Sequence, residues 1–359
     1  MNRWHRARIA AGKLLAVAAV VVFTMHGHTQ NTVAENSGIN PNFHPVGMSQ
    51  EAQKHRPWGP LTSGPFYTGT ADANPPQSGY YEPFIYFTRT SSLGQSQISM
   101  PQRISYGFAK NLEIDFYTPI IYNTVGPPST PQNNSYSDVG LGNLHFELKR
   151  QFMKDGNNRS FKARPSLALT YIQYIPTGKY QHLNPAVFGA DQYGTGTYNE
   201  GLNLIARKRV KPFEGYFQFG DIVQNPTHVG PGFTYNNGIT TVPAGQHPRV
   251  VNGNLLYYAG AFEHVLNDKY GIGYLVEYNG EAQTGRNLIF GRANAPDWNF
   301  LHISPEAEFT WPNKKSYAIT WGGGISLPAE ASGYPNSRTP MFTVSFYRNG
   351  KHGYRGESD

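Results

Sequence analysis

The sequence predicts an all-β protein built as a single closed antiparallel barrel of about 12 strands. Three observations predict it: segments that alternate apolar with polar residues, connections that alternate short with long, and a composition rich in rings and poor in charge. Tyr (24), Phe (21) and Gly (39) are abundant among the 359 residues, and only 15% are Asp, Glu, Lys or Arg, against roughly 25% in ordinary globular chains. A mean hydropathy of −0.51 excludes a bundle of transmembrane helices, because each helix needs about 20 consecutive apolar residues. So much aromatic and β-branched surface also excludes a disordered chain.

Residues 1–34 read as a secretory signal. A basic start (MNRWHRARIAAGK) precedes a 12-residue apolar run, Leu14 to Met25, which suits a signal core and is too short for a stable membrane span. In Thr32-Val33-Ala34, Thr32 and Ala34 supply small residues at −3 and −1 for cleavage before Glu35. The formal charge of +7 comes largely from this leader: without Arg3, Arg6, Arg8 and Lys13 the count is 26 Lys+Arg against 23 Asp+Glu. The remainder holds no basic run of the kind that binds nucleic acid, so that partner class is excluded. The absence of cysteine excludes disulfides, thiolate metal sites and thiol nucleophiles. Residues 35–77, rich in Pro, Asn, Gly and Ser, show no periodicity and read as an irregular N-terminal segment, periplasmic or folded into the lumen, where part of it would narrow the passage.

From residue 78 to 348 the pattern is strand upon strand, followed by a polar tail at 349–359. Twelve segments stand out, near 79–89, 95–108, 112–122, 137–151, 161–176, 197–210, 213–225, 250–266, 269–281, 300–311, 315–328 and 339–348. In LEIDFYTPI, Leu112, Ile114 and Phe116 share one face and Glu113, Asp115 and Tyr117 the other, the period-2 signature of a strand between two environments. Leu144, Phe146 and Leu148 likewise oppose His145, Glu147 and Lys149, and Ile303, Ala307 and Phe309 oppose His302, Ser304, Glu306 and Glu308.

Connections after the second, fourth, sixth, eighth and tenth segments are mostly tight and polar (AKN, KDGNNR, KRVKP, LNDK, PNKK). Most of the others are long, over 123–136, 177–195, 226–249, 282–299 and 328–338. One end then carries hairpin turns and both termini, and the other carries elaborated loops, the plan of a transmembrane barrel with short periplasmic turns and long extracellular loops. An 11-residue strand at about 3.3 Å per residue, tilted about 45°, rises roughly 25 Å, the height of the outer-membrane apolar band. Rings near strand ends (Tyr80, Tyr81, Tyr106, Tyr117, Tyr122, Tyr174, Tyr216, Tyr257, Tyr258, Trp311, Trp321 and Tyr347) suit the two interface girdles. The alternative is a soluble exported β protein, in which the same rings would be cross-strand core.

The stretch YSDVGLGNLHFELKR (136–150), followed by SLALTYIQYIPTGKY (166–180), resembles a family of outer-membrane proteins named for the MetA pathway of phenol degradation. The resemblance rests on Ser137, Asp138, Val139 and Gly140, then Pro176, Thr177 and Gly178, with later pieces at 273–281, 303–311 and 322–330. It implies a 12-stranded barrel and a transport role for aromatic or other small apolar compounds, and it supplies no catalytic residues.

The residues themselves present no strong catalytic or metal constellation. His145, His264 and His302 are candidate bases for an outer-membrane hydrolase, but no G-x-S-x-G elbow accompanies them. His302, Glu306 and Glu308 would spread over about 20 Å of strand, too far for one ion. Gly322, Gly323 and Gly324 lack the following helix of a phosphate loop and read as a place of bending or close approach. No cofactor is implied. If the apolar faces meet lipid, then Glu113, Asp115, Glu147, Lys149, Arg207, Arg209, Glu277, Glu306 and Glu308 line the lumen, since a charge on the lipid face would cost about 2–4 kcal/mol at the midplane. The expected partners are outer-membrane lipid, a small-molecule solute and the barrel assembly machinery. The expected function is a channel passively admitting small solutes, with a plugged structural barrel or a hydrolase as the alternatives.

Overall fold

In a computed structural model the described residues are 65–348. Excepted within that range are 75, 131–133, 156–163, 211, 236–239, 268–271, 286, 296–298, 312–316 and 333–336. The chain divides into two units, Met1–Pro41 and Asn42–Asp359, and every described residue lies in the second. The expected signal, most of the expected irregular segment and the polar tail therefore lie outside the described residues.

Twelve strands form the wall: β1 (Gly79–Thr90), β2 (Gln95–Ala109), β3 (Leu112–Val125), β4, β5 (Ser166–Ile175), β6 (Asn199–Val210), β7 (Phe213–Gln224), β8 (Asn254–Asn267), β9 (Ile272–Thr284), β10 (Asn299–Trp311), β11 (Tyr317–Ser332) and β12 (Thr339–Arg348). β4 comes in two pieces, Tyr136–Leu141 and Leu144–Met153, both paired with β3 and parted at Gly142 and Asn143. Each strand pairs antiparallel with its sequence neighbour, and β1 pairs with both β2 and β12, so the sheet closes. Closure removes every free edge, which a strand in hydrocarbon requires because no water is there to satisfy unpaired backbone groups.

Burial is inside out. On β6, Leu202 and Leu204 are 53% and 44% exposed while the intervening Asn203 is 2% exposed. Phe217 and Phe219 on β7, Val276 on β9 and Phe342 and Phe346 on β12 are exposed in the same way, opposite buried Gln218, Glu277 and Thr343. Each such side chain would forfeit about 1.5–3 kcal/mol by standing in water, so a continuous band of them identifies a lipid-facing surface. Replacing Leu204, near the middle of β6, with Arg is expected to destabilise the folded barrel by about 2–4 kcal/mol, read as a lower temperature for loss of the compact band on SDS gels. An unchanged transition would contradict the lipid-facing assignment of that face.

The ring pattern corrects one sequence expectation. Tyr81, Tyr106, Tyr122 and Trp321 point outward and are 40–45% exposed. Tyr80, Tyr117, Tyr174, Tyr216, Tyr257 and Tyr347 instead have the parity of the buried polar face and belong to the inner wall, not to a girdle. Their neighbours two residues away along the same strands (Glu82, Asp115, Ile172, Gln218, Ala259 and Ser345) are all buried, which fixes that parity.

The long loops build a cap of their own. Arg292–Ala295, Asn287–Ile289, Arg249–Val251 and Thr227–His228 form a four-stranded sheet in that order. Thr234–Tyr235 pairs with Thr240–Thr241. Leu183, Val229, Phe233, Val242, Val250 and Ile289 make a small core beneath them. Strand eight consequently begins at Asn254, later than the expected 250, because Arg249–Val251 is drawn into the cap sheet. Tyr193, from the loop after β5, covers the upper piece of β4: a Cβ on Gly140 would stand 2.2 Å from its ring. Burial first, then the Asp138 carboxylate, pushes the Tyr193 hydroxyl above the ordinary tyrosine range.

Candidate functional site: the barrel lumen

Of the nine residues expected to line the lumen, Glu113, Asp115, Lys149, Glu277, Glu306 and Glu308 are buried and Glu147, Arg207 and Arg209 half-buried, and the structure sorts them into groups. Lys149 and Glu113, on neighbouring strands, form an ion pair at 2.5 Å, each 1% exposed. Beside them Arg103 bridges Asp115 at 3.3 Å and Glu82 at 3.4 Å. Arg207 and Arg209 both hold Glu214, Arg207 at 2.5 Å. The Tyr216 hydroxyl lies 2.9 Å from both Glu214 and Glu263. Glu147 meets His145 at 3.1 Å. Glu277 and Glu306, 0% and 5% exposed, have no ion-pair partner among the described residues. The wall is thus mixed in sign on one side and acidic on the other. Glu306 finds its room in the glycine run, since a Cβ on Gly324 would stand 2.5 Å from the Glu306 Cγ.

Residues 65–74 run through this lumen as a strap and enter β1 through residues 76–78. At its start the strap is held by Glu277, whose carboxylate accepts from the backbone N–H of Phe66 (3.0 Å), Tyr67 (3.0 Å) and Thr68 (2.5 Å) and from the Thr68 hydroxyl (2.6 Å). The Gly69 N–H donates to Gln218 Oε1 at 2.5 Å, and a Cβ there would come within 2.9 Å of the Ile205 Cδ1, so a larger residue would have to displace that side-chain tip. Asp72 pairs with Arg207 and accepts from Gln151 (2.9 Å) and Ser166 (2.8 Å). The Asn74 N–H donates to Glu113 at 2.5 Å. Phe66 packs with Phe84 and Met341, and Ala71 with Ala168 and Ile205. Touching β9, β7, β6, β5, β4 and β3 in turn, the strap narrows the passage.

The periodicity of the barrel strands left Glu82, Arg103, Glu214 and Glu263 unassigned. Parity could have found Glu214, which alternates with Phe213, Gly215 and Phe217. Glu82 sits among Tyr80, Phe84 and Tyr86, an inner face too aromatic to announce a polar lumen. Nothing in the unpatterned segment around Asp72 signals its role.

The candidate bases are placed as follows. His302 Nδ1 lies 3.1 Å from the Ser326 hydroxyl, and its Nε2 has no hydrogen-bond partner among the described residues, so no carboxylate orients the imidazole as a catalytic triad requires. His264 contacts the Tyr274 hydroxyl at 3.0 Å. No cluster of three metal-ligating side chains occurs among the described residues.

A closed antiparallel barrel with a lipid-facing apolar band and a charged interior is a transmembrane β-barrel of the outer-membrane class. The chain is similar in fold to the crystal structure of an outer-membrane channel from Pseudomonas putida F1, with a TM-score of 0.55 at 12% identity, covering 78% of this chain and 98% of that one. This agrees with the barrel that the sequence resemblance implied, and at such identity it establishes the fold. More remote likenesses are to the β domain of the Bordetella autotransporter BrkA (TM-score 0.39, 9% identity, 76% of this chain and 98% of that one) and to the CymD monoaromatic hydrocarbon channel (0.33, 6%, 78% and 90%). No protein-family model matches the chain, and no curated protein matches it.

Proposed function

We propose that the chain is a bacterial outer-membrane channel that passively admits small solutes, aromatic and apolar ones among them, through a lumen narrowed by residues 65–74. The supporting observation is the chemistry of the strap's contact with the wall. Most of its anchors are hydrogen bonds from strap N–H groups to wall carboxylates and amides, and each apolar cluster inside the barrel contains only three buried residues. Such hydrogen bonds can be replaced by hydrogen bonds to water or solute as the strap moves, whereas a close-packed apolar interior would admit neither. Glu113, Asp115, Glu147, Lys149, Arg207, Arg209, Glu277, Glu306 and Glu308 border this passage in the proposal, and chemistry plays no part in it. Residues 1–34 direct Sec export, the barrel assembly machinery inserts residues 78–348, and neither cofactor nor nucleic acid takes part. The number of strap contacts favours, as a second reading, a permanently plugged structural barrel.

Carboxylates outnumber Lys and Arg on the described inner wall, so the channel is expected to prefer cations. In planar bilayers under a KCl gradient, Glu306→Gln with Glu308→Gln should move the reversal potential toward zero. One charge about 8 Å from the ion path in water-like surroundings is worth about 0.5 kcal/mol, or roughly twofold in permeability ratio. An unmoved reversal potential would remove both residues from the ion path.

A further inference from the structure

Six adjacent strands carry a ladder of five rings and one guanidinium on the inner wall. Tyr347 of β12 and Tyr80 of β1 are cross-strand partners with ring centres 4.9 Å apart. The Arg103 guanidinium on β2 lies 4.9 Å from the Tyr80 ring centre and 5.3 Å from that of its own cross-strand partner, Tyr117 on β3. Tyr117 stacks on His145 of β4 at 4.5 Å with planes 11° apart. His145 stacks in turn on Tyr174 of β5 at 4.2 Å and 17°.

The ends of the ladder are informative. Tyr80 follows the first residue of β1 and Tyr347 precedes the last of β12, both at the end that carries the chain termini. Tyr174 is the penultimate residue of β5, at the opposite, loop-bearing end. The ladder therefore crosses the wall obliquely from one rim to the other with no gap above 5.3 Å. Every rung is half-buried, so each keeps some surface within the lumen. Other parts of the inner face are held together without rings, as at Thr170, Asn203, Ser304, Thr320 and Ser345, all at most 2% exposed. Wall integrity alone does not demand stacked rings.

The geometry points to a specificity device for planar aromatic solutes: Tyr80, Arg103, Tyr117, His145 and Tyr174 bind such a ring weakly at successive rungs and favour its passage over that of a saturated ring of equal size and charge. This rests on the channel reading above. Aromatic pairs attract over centroid separations of about 4.5–7 Å and cations bind ring faces within about 6 Å, so a solute ring leaving one rung is already within reach of the next. Selective conduction needs this kind of binding, favourable enough to enter and weak and repeated enough to leave.

The test is the permeability ratio of benzylammonium to cyclohexylmethylammonium, taken from bi-ionic reversal potentials of the full chain in planar bilayers. The two cations share charge and approximate size and differ in the π face. A preference of about fivefold for the aromatic cation is expected, the worth of one or two ring contacts. Tyr117→Leu and Tyr174→Leu should bring the ratio near one, and Tyr117→Phe should keep it, each protein first shown by its cold-to-boiled gel shift to be folded. A wild-type ratio of one alongside a measurable K⁺ current would overturn the ladder and leave the channel standing. Leucine variants that retain the preference would overturn it too. The absence of any K⁺ current would overturn the channel reading, and the ladder's role with it.

Discussion

Replacing Glu277 with Ala is expected to raise the conductance of the channel several-fold. The Glu277 carboxylate accepts hydrogen bonds from three successive strap N–H groups and from the Thr68 hydroxyl. Hydrogen bonds to a charged group contribute about 1.5–3 kcal/mol each, so the carboxylate holds the start of the strap more strongly than any other wall group. Without it, residues 66–68 keep the packing of Phe66 on Phe84 and Met341, the contact of the Phe66 and Tyr67 rings with Tyr86, and the contacts of the Phe66 and Tyr67 carbonyls with the Tyr86 and Tyr257 hydroxyls. A segment that has lost its charged anchor opens at lower free energy. The lower anchors at Asp72 and Asn74 remain, so the barrel itself should stay folded. Glu277→Gln, which keeps one acceptor oxygen, should fall between Ala and the native residue. Equal single-channel conductance in all three proteins would show that the strap does not set the constriction.

Replacing Lys149 with Met is expected to destabilise the barrel by about 3–5 kcal/mol, the usual consequence of removing one member of a buried ion pair. Both partners are 1% exposed and 2.5 Å apart, and Glu113 would be left with the Asn74 N–H as its remaining close donor. The pair ties β3 to β4, so the loss falls on the wall as well as on the strap. Equilibrium urea unfolding in detergent or lipid measures it through the midpoint. Adding Glu113→Gln to Lys149→Met should recover much of the loss, because the uncompensated charge is then gone. If the single variant unfolds at the native midpoint, the pair contributes nothing that water does not.

How much of this was legible in the sequence follows from how barrels use their residues. Strand number and order were readable because each span must turn an apolar face to lipid, as at Leu112, Ile114 and Phe116, and the period-2 pattern records that need directly. The alternation of tight turns with long loops set the direction of the strands in the same way. Buried charged positions were readable where the charge stood against an apolar neighbour, as for Glu113 and Asp115 on β3 or Glu306 and Glu308 on β10. Tyrosine carried no such sign. Its ring suits an interface and its hydroxyl suits a lumen, so Tyr80, Tyr117 and Tyr174 read as girdle residues until their neighbours along the strand fixed the face. That part of 35–77 would fold into the lumen and narrow it was expected, but the strap's anchors were illegible for a different reason. Its backbone N–H groups make the contacts with Glu277, Gln218 and Glu113, and those groups are present in every non-proline residue.

The most direct test of the channel is the single-channel current of the purified, folded chain in a planar bilayer in symmetric KCl. Stepwise, cation-selective openings in the native protein, enlarged by Glu277→Ala, are the predicted result. Silent membranes for both proteins, with each shown by its gel shift to be a closed barrel, would contradict the account and leave a plugged structural barrel in its place.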